Sequence, residues 1–134
     1  MYLVDTNVVS ELRKPKPQRS VVAWLEAVPS DSLFLSALTI GELQVGIENL
    51  RGRDAERAKD LEVWLDQVVE SYAVLPMDAV TFRQWARIKH GHPSSLIEDA
   101  MIAATAVVHG LTVVSRNVKD FEQLDVAVLN PFAA

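Results

Sequence analysis

The stretch MYLVDTN (residues 1–7) places a short apolar segment, Tyr2 to Val4, directly before the carboxylate of Asp5. An apolar run without polar alternation is typical of a strand that is buried on both faces of a parallel sheet. Parallel strands end together at one edge of the sheet, and ligands bind outside that edge. The stretch therefore predicts a strand that brings Asp5 to a functional edge, although Asp5 is also a good helix N-cap.

Strands and helices alternate along the rest of the chain. Further short apolar segments predict strands at residues 33–36, 73–76, 111–115 and 126–129. Helical periodicity or a uniformly apolar run predicts helices at residues 7–13, 20–28, 39–50, 61–72, 78–91 and 97–109. This order predicts the α/β class, as an α/β/α sandwich with a mostly parallel central sheet in a single domain over residues 1–134.

The composition is that of an ordinary globular protein without cysteine. No apolar run approaches the ~18 residues that span a bilayer, and the first residues lack the charged region of a signal peptide. Because cysteine is absent, disulfides and thiolate metal sites are excluded, and we expect a cytoplasmic protein without a membrane partner. The net charge of −5 argues against non-specific coating of nucleic acid but permits a local basic patch.

Glu42 lies near the start of a predicted helix and has two interpretations. The sequence TIGE (39–42) fits a capping box, in which Thr39 caps the helix and Glu42 reaches back to it. A parallel sheet would also bring the start of this helix to the same edge as Asp5. The sequence alone leaves the structural and the functional interpretation open.

Asp99 is harder to assign to a structural role. The sequence SLIE (95–98) forms a capping box of its own, so the cap of the next helix is supplied without Asp99. The segment AMIAATAVV (100–108) that follows carries no charge, which predicts a buried helix. A carboxylate on an apolar face costs free energy, and the helix dipole offsets only about 0.3–1 kcal/mol of that cost. We therefore expect Asp99 to be functional.

The segment SRNVKDF (115–121) follows a predicted strand and offers Asn117 and Asp120, although turn formation is an ordinary role for both residue types. Three acids and this pair fall at strand ends or helix starts, which a parallel sheet brings to one edge. Clustered carboxylates repel one another, and a hard divalent cation relieves the repulsion. Without cysteine or a helical histidine pair, an all-oxygen ligand set predicts Mg²⁺ or Mn²⁺.

Four segments in register, MYLVDTNVVSEL, LFLSALTIGEL, EDAMIAATA and LTVVSRNVKDF, resemble the PIN-domain ribonucleases. The chain is most similar to the VapC-like and FitB-like toxins of bacterial toxin–antitoxin pairs, and the resemblance covers essentially the whole chain. It implies an α/β/α fold with a parallel sheet and an acidic quartet that binds Mg²⁺ or Mn²⁺.

The resemblance also assigns residues to the quartet. Carried over by motif, the first three acids are Asp5, Glu42 and Asp99. The fourth position is open between Asn117 and Asp120, because relatives differ there. Asn117 can bind a metal through its carbonyl oxygen but brings no charge, so the number of metal ions stays open. Three polar residues are implied to support the centre, namely Thr6, Asn7 and Ser115.

Partners are implied by the same resemblance. Such toxins cleave RNA and are held inactive by a small antitoxin whose tail lies across the active-site groove. They form homodimers, and antitoxin joins these dimers into hetero-oligomers. DNA is bound by the antitoxin and not by the toxin itself.

A basic run, RKPKPQR (13–19), follows the first strand closely. Its ordinary interpretation is a solvated loop. In an acidic protein, however, a basic loop beside a metal edge can hold RNA phosphates, which makes Arg13, Lys14 and Lys16 candidates. Arg116 is a candidate by the same reasoning.

The resulting hypothesis is a Mg²⁺-dependent endoribonuclease toxin, a hydrolase in which an ion on Asp5 and Asp99 activates water for attack on an RNA phosphodiester. Glu42 either helps to bind the ion or accepts the proton. Haloacid dehalogenases need a second Asp where Asn7 stands, and receiver domains fit equally poorly. The alternative is a catalytically inactive PIN-like module that binds RNA or a partner, which the neutral Asn117 would favour.

Overall fold

The computed structural model describes residues 1–133 and shows a central sheet with helices on both faces. Five strands form the sheet: β1 (Tyr2–Val4), β2 (Leu33–Ser36), β3 (Ala73–Leu75), β4 (Thr112–Val114) and β5 (Val128–Leu129). The described residues also form seven α-helices: α1 (Thr6–Glu11), α2 (Arg19–Ala27), α3 (Ala37–Arg51), α4 (Ala55–Ser71), α5 (Ala79–Lys89), α6 (Ile97–His109) and α7 (Val118–Gln123). Strands and helices therefore alternate as the sequence predicts.

The sheet is parallel throughout, with the strand order β3-β2-β1-β4-β5. β1 is the middle strand, and its Leu3 is in register with Phe34 of β2 and Val113 of β4. From β1 the chain first adds β2 and β3 on one side and then β4 and β5 on the other side. The strand order therefore reverses at β1, and a crevice for a ligand opens at the carboxyl end of this strand. The predicted α/β/α sandwich is confirmed, and every strand pair is parallel.

Alternate side chains of the strands enter two separate hydrophobic cores. Val4 of β1 and Leu35 of β2 face the core that is covered by α1 to α4. Leu3 and Phe34 face the core that is covered by α5 to α7. Leu3 and Val4 are almost fully buried, and such burial stabilises the fold by about 1.5–3 kcal/mol for each side chain. Burial on both faces explains the apolar run in β1 and fixes the position of the residue that follows it.

Two predicted helix caps are wrong, because each helix begins at a different residue. α3 begins directly after β2, and the Ser36 hydroxyl accepts a hydrogen bond from the Leu38 amide at 3.1 Å. Thr39 is therefore buried inside the helix and does not cap it. The N-cap of α6 is Leu96, and no side-chain hydrogen bond caps this helix. Neither predicted capping box forms. Glu42 therefore does not cap α3.

Other helix ends have the predicted caps. Asp78 caps α5, where it accepts hydrogen bonds from the amide of Thr81 at 3.0 Å and from its hydroxyl at 2.7 Å. Gly110 ends α6 with a φ of 67°, in the left-handed conformation that favours glycine. α4 begins earlier than the periodicity predicts, because Asp54 caps it by accepting a hydrogen bond from the Arg57 amide. In residues 1–133 no helix has the length and apolar character needed to cross a membrane.

Candidate metal centre

Asp5 stands at the carboxyl end of β1 and is 5 % exposed. Its amide donates to the Val114 carbonyl at 2.9 Å, which ties it to the neighbouring strand β4. Its Oδ1 accepts a hydrogen bond from the Thr6 amide at 2.8 Å, so Asp5 is itself the N-cap of α1. Burial raises the pKa of Asp5, and the hydrogen bonds from Ser115 and Thr6 oppose that rise. The capping position and the position at the functional edge are thus the same.

A hydrogen-bond network joins the second oxygen of Asp5 to the end of β4. The Ser115 hydroxyl donates to Oδ2 of Asp5 at 2.7 Å. The same hydroxyl oxygen accepts from the side-chain amide of Asn7 at 3.1 Å and from the backbone amide of Asn117 at 3.0 Å. Asn7 in turn accepts from the Arg116 backbone amide at 3.1 Å. The structure therefore places Ser115 and Asn7 around Asp5, where they fix its orientation.

Glu42 approaches Asp5 from the second turn of α3. The Thr6 hydroxyl donates to Oε1 of Glu42 at 2.7 Å and lies 3.1 Å from the hydroxyl oxygen of Thr39. Burial and the neighbouring carboxylates of Glu98 and Asp5 raise the pKa of Glu42 to about 7, although the hydrogen bond from Thr6 acts in the opposite direction. Without a bound cation, Glu42 therefore exchanges between its protonated and its charged form near neutral pH.

Asp99 is half-buried in the first turn of α6. Burial, together with the carboxylates of Asp5 and Asp120, raises its pKa to about 6. Asp120 lies in the first turn of α7, within hydrogen-bond reach of Asp99. Carboxylates from β1, α6 and α7 are thus close enough to repel one another.

One cleft of about 330 Å³ collects these side chains at the carboxyl edge of the sheet. The residues that line it are Asp5, Thr6, Asn7, Glu42, Glu98, Asp99, Ile102 and Asn117. The structure therefore brings together the three acids that the motifs single out, and it places Asn117 in the same lining. Asp120 contacts Asp99 and is not a lining residue of the cleft.

Glu98 lines the cleft, although the sequence SLIE (95–98) predicts a capping box for it. Its carboxylate interacts with that of Glu42 and contributes to the raised pKa there. The chain does contain a signal for this role. Glu98 and Asp99 are adjacent acids at the start of a helix that carries no further ionisable side chain before His109. Two acids at this position exceed what helix capping requires.

The ligand chemistry of the cleft fits a hard divalent cation. Its carboxylates and the Asn117 carboxamide offer oxygen ligands, which Mg²⁺ and Mn²⁺ prefer. In residues 1–133 no three acidic or histidine side chains stand close enough together to form a ready-made metal site, although the acids line one cleft. The ion pairs of these residues lie elsewhere, at Lys14–Glu11, Arg51–Glu48 and Arg51–Glu62. A cation would therefore relieve a repulsion that the described side chains leave in place.

The four predicted phosphate contacts lie in different places. Arg13 and Lys14 line a second cleft, separate from the one that contains Asp5. The Arg116 guanidinium lies 3.8 Å from the centroid of the Phe132 ring. Lys16 is exposed and lines neither cleft. The basic residues do not form one patch.

A parallel sheet with an acidic cleft at its carboxyl edge is the arrangement that the four segments predict. The sequence pattern of the PIN domain matches residues 2–127, which is nearly the whole chain. This chain therefore belongs to the PIN-domain family, and the predicted resemblance is confirmed.

Particular relatives place the chain more narrowly, among bacterial toxins. It is 37% identical to the toxin FitB of Neisseria gonorrhoeae, over 98% of this chain and 99% of that protein. It is 36% identical to the VapC ribonuclease Y4jK of Sinorhizobium fredii, over 98% of both. The crystal structure of FitAcB from Neisseria gonorrhoeae matches with a TM-score of 0.90, 36% identity and complete coverage of both chains. FitAB bound to an IR36 DNA fragment matches with a TM-score of 0.88 and 34% identity, over 100% of this chain and 97% of that one. The similarity to FitB and VapC toxins is confirmed.

Proposed function

We propose that this chain is a Mg²⁺-dependent endoribonuclease that acts as the toxin of a toxin–antitoxin pair, with Mn²⁺ as an alternative ion. One observation carries the proposal. Asp5, Glu42 and Asp99 line one cleft at the carboxyl edge of a PIN-domain sheet, and no ion pair in residues 1–133 neutralises them. The names of relatives add support, since the protein of Sinorhizobium fredii is called a VapC ribonuclease.

Asp5 and Asp99 are the residues that would hold the ion. The hydrogen bond from Ser115 orients Asp5, and Asp99 reaches the same cleft from α6. Asn117 adds a neutral oxygen, whereas Asp120 acts through Asp99 as a positioning residue. When it is bound, Mg²⁺ supplies the positive charge that balances the carboxylates and stabilises the phosphate in the transition state.

Glu42 is assigned the role of proton acceptor. Glu42 faces the cleft without an ion-pair partner among residues 1–133, and its burial favours the uptake of a proton by its carboxylate. The Thr6 hydroxyl holds this carboxylate in place. The water oxygen forms a bond to phosphorus while its proton passes to Glu42. The bond from phosphorus to the leaving ribose oxygen breaks, and that oxygen takes a proton from solvent.

An RNA cleavage assay tests this proposal. The wild-type chain should cleave single-stranded RNA in Mg²⁺, lose this activity in EDTA and regain it with Mn²⁺. Asp99→Asn should slow cleavage by about 100-fold or more, because several kcal/mol of charge stabilisation depend on the ion. Asp66→Asn, at an exposed position on α4, serves as the matched control.

Two outcomes of the assay would contradict the proposal. Cleavage that persists in EDTA and in Asp99→Asn would exclude the metal mechanism. RNA binding without cleavage in either ion would favour the catalytically inactive PIN-like module instead.

The partners are proposed from the structures of relatives. Those structures contain FitAcB and FitAB bound to DNA, and this chain is at least 34% identical to them over its whole length. We therefore propose a small antitoxin as partner, a hetero-oligomer with it, and contact with DNA only through it. An exposed apolar surface supports a homodimer, because Phe82 and Ile97 flank Trp85 and are 43% and 36% exposed.

A further inference from the structure

A second cleft of about 660 Å³ lies outside the candidate metal centre. The end of α1, the turn after it, the second half of α3 and the start of α4 form its walls. Four of its lining residues are basic and one is acidic: Arg13, Lys14, Arg53, Arg57 and Asp60. This basic cleft stands out in a chain whose net charge is −5.

Most of the positive charge in the basic cleft is not neutralised within residues 1–133. Lys14 pairs with Glu11 at 2.9 Å. Arg13, Arg53 and Arg57 make no ion pair with the described residues. Guanidinium groups that surround a concave surface raise the local concentration of anions, and their fixed planar donors match the oxygens of a phosphate. The basic cleft therefore has the charge and the donor chemistry of a phosphate site.

The basic cleft and the candidate metal centre are lined by residues of the same two helices, α1 and α3. Asn7 of α1 and Glu42 of α3 line the acidic cleft, whereas Ser10 of α1 and Leu50 of α3 line the basic one. The positions of Glu42 and Leu50 on α3 are separated by about 12 Å, at a rise of 1.5 Å per residue. A single strand of a few nucleotides covers that distance.

We propose that the basic cleft binds backbone phosphates of the RNA strand a few nucleotides away from the cleaved bond. This inference rests on the proposed ribonuclease function and adds a second binding site to it. Arg53 and Arg57 join Arg13 and Lys14 there, although they follow them by about 40 residues in the chain. Contacts of this kind hold a strand in register without reading its bases.

An acidic segment of a protein partner is the other ligand that this charge would attract. The two shared helices favour RNA, because a single strand that ran along α1 and α3 would use both clefts. An acidic peptide that extended along α1 and α3 would meet the carboxylates of the metal centre instead. Phosphates have the further advantage of recurring at a regular spacing along the strand.

Binding of RNA tests the inference in an Asp99→Asn background, which prevents cleavage during the measurement. The probe is a fluorescein-labelled single-stranded RNA of about 16 nucleotides and mixed sequence, followed by anisotropy at several salt concentrations. Arg53→Ala/Arg57→Ala should lower the slope of log affinity against log salt by about 1.4, since each lost phosphate contact contributes about 0.7. At 0.1 M salt this loss corresponds to binding that is about 25-fold weaker.

A matched pair of substitutions controls for total charge. Arg83→Ala/Arg87→Ala removes two exposed arginines from α5, on the opposite face of the sheet. These variants should keep the salt dependence of the parent. An equal loss in both double variants would show that only net charge matters and would overturn the inference.

Gly46 provides a second variant that does not remove an arginine. A Cβ built on Gly46 meets no atom within 4 Å, so a side chain there enters open space in the basic cleft. Gly46→Glu should weaken RNA binding about as much as the arginine pair does, whereas Gly46→Ala should leave it unchanged. If Gly46→Glu binds RNA as the parent does, the inference fails.

Two further measurements separate the inference from the proposed function. The first measures binding of a labelled poly-glutamate peptide. If the peptide binds the parent and not Arg53→Ala/Arg57→Ala, while both proteins bind RNA equally, the basic cleft belongs to a protein partner and the inference is overturned. If the wild-type chain cleaves no RNA but Arg53→Ala/Arg57→Ala still weakens RNA binding, the ribonuclease proposal fails and the phosphate site stands. If Arg53→Ala/Arg57→Ala changes neither RNA cleavage nor RNA binding, the ribonuclease proposal stands and the proposed phosphate site is refuted.

Discussion

Replacement of Asp99 by asparagine should stabilise the metal-free protein at neutral pH. The pKa of Asp99 in the folded chain is about 6, above its ordinary value of 3.8. The folded state therefore binds the proton more tightly than the unfolded chain does, and stability falls as the pH rises from about 4 to about 6. Because asparagine does not titrate, the advantage of the variant should be absent below this range and complete above it.

The size of this effect follows from the pKa difference. A rise from 3.8 to about 6 corresponds to about 3 kcal/mol at 1.36 kcal/mol per unit. Asp99 is only half-buried, so solvent screens the repulsion, and we expect about 1–2 kcal/mol. For a chain of this length the melting temperature should rise by about 3–10 °C. Excess Mg²⁺ should reverse the order, because a ligand at 100 times its Kd stabilises the wild-type chain by about 2.7 kcal/mol.

Thermal unfolding followed by circular dichroism provides the assay. Wild type, Asp99→Asn and the control Asp66→Asn are compared in EDTA at about pH 4 and about pH 8, and again with Mg²⁺. Equal melting temperatures of wild type and Asp99→Asn at about pH 8 in EDTA would show that the carboxylates do not destabilise one another. A gain of the same size at about pH 4 would refute the electrostatic explanation, because Asp99 is then largely protonated.

Three further predictions concern the site and the surface. Glu42→Gln should bind Mn²⁺ in calorimetry as the wild type does but cleave RNA about 10²–10⁴-fold more slowly, and a loss of Mn²⁺ binding would identify Glu42 as a ligand instead. Ser115→Ala should lower the free energy of unfolding in urea at neutral pH by about 1–3 kcal/mol, because buried Asp5 loses its hydroxyl donor; an unchanged midpoint would contradict this. Phe82→Glu should reduce the mass in light scattering from a dimer to 14.9 kDa, whereas Val45→Glu on α3 should not, and a wild-type chain that is already monomeric would refute the proposed surface.

The features that the sequence predicts well are those that a local pattern decides. A short apolar segment such as Tyr2 to Val4 can be buried on both faces only within a sheet that is covered on both sides, which places Asp5 at the edge. The uncharged segment 100–108 likewise becomes a helix whose residues 102–106 are all buried. Asp99 was predictable for the same reason, since its charge conflicts with that segment.

Helix starts were less predictable because two hydroxyl residues compete for the same role. Ser36 and Thr39 both precede an apolar helix, and the end of β2 decides that Ser36 is the cap. The position of Glu98 in the cleft likewise depended on how α6 begins, where Leu96 is the N-cap and no capping box forms. The basic cleft depends on tertiary structure still more, because Arg53 approaches Arg13 only when α3 packs beside α1. No local pattern contains that contact.

Asp5 shows how a buried carboxylate can be held at the end of the middle strand of an apolar sheet. The Thr6 amide, the Ser115 hydroxyl and the start of α1 all favour its charged form. Each of these groups is neutral, and together they still leave the pKa of Asp5 raised. A nearby positive charge would stabilise the carboxylate further, and no ion pair in residues 1–133 supplies one. Capping α1 and binding a metal ion are thus compatible roles for Asp5. The hydrogen bond to the start of α1 fixes the side chain, and a bound cation would balance its negative charge.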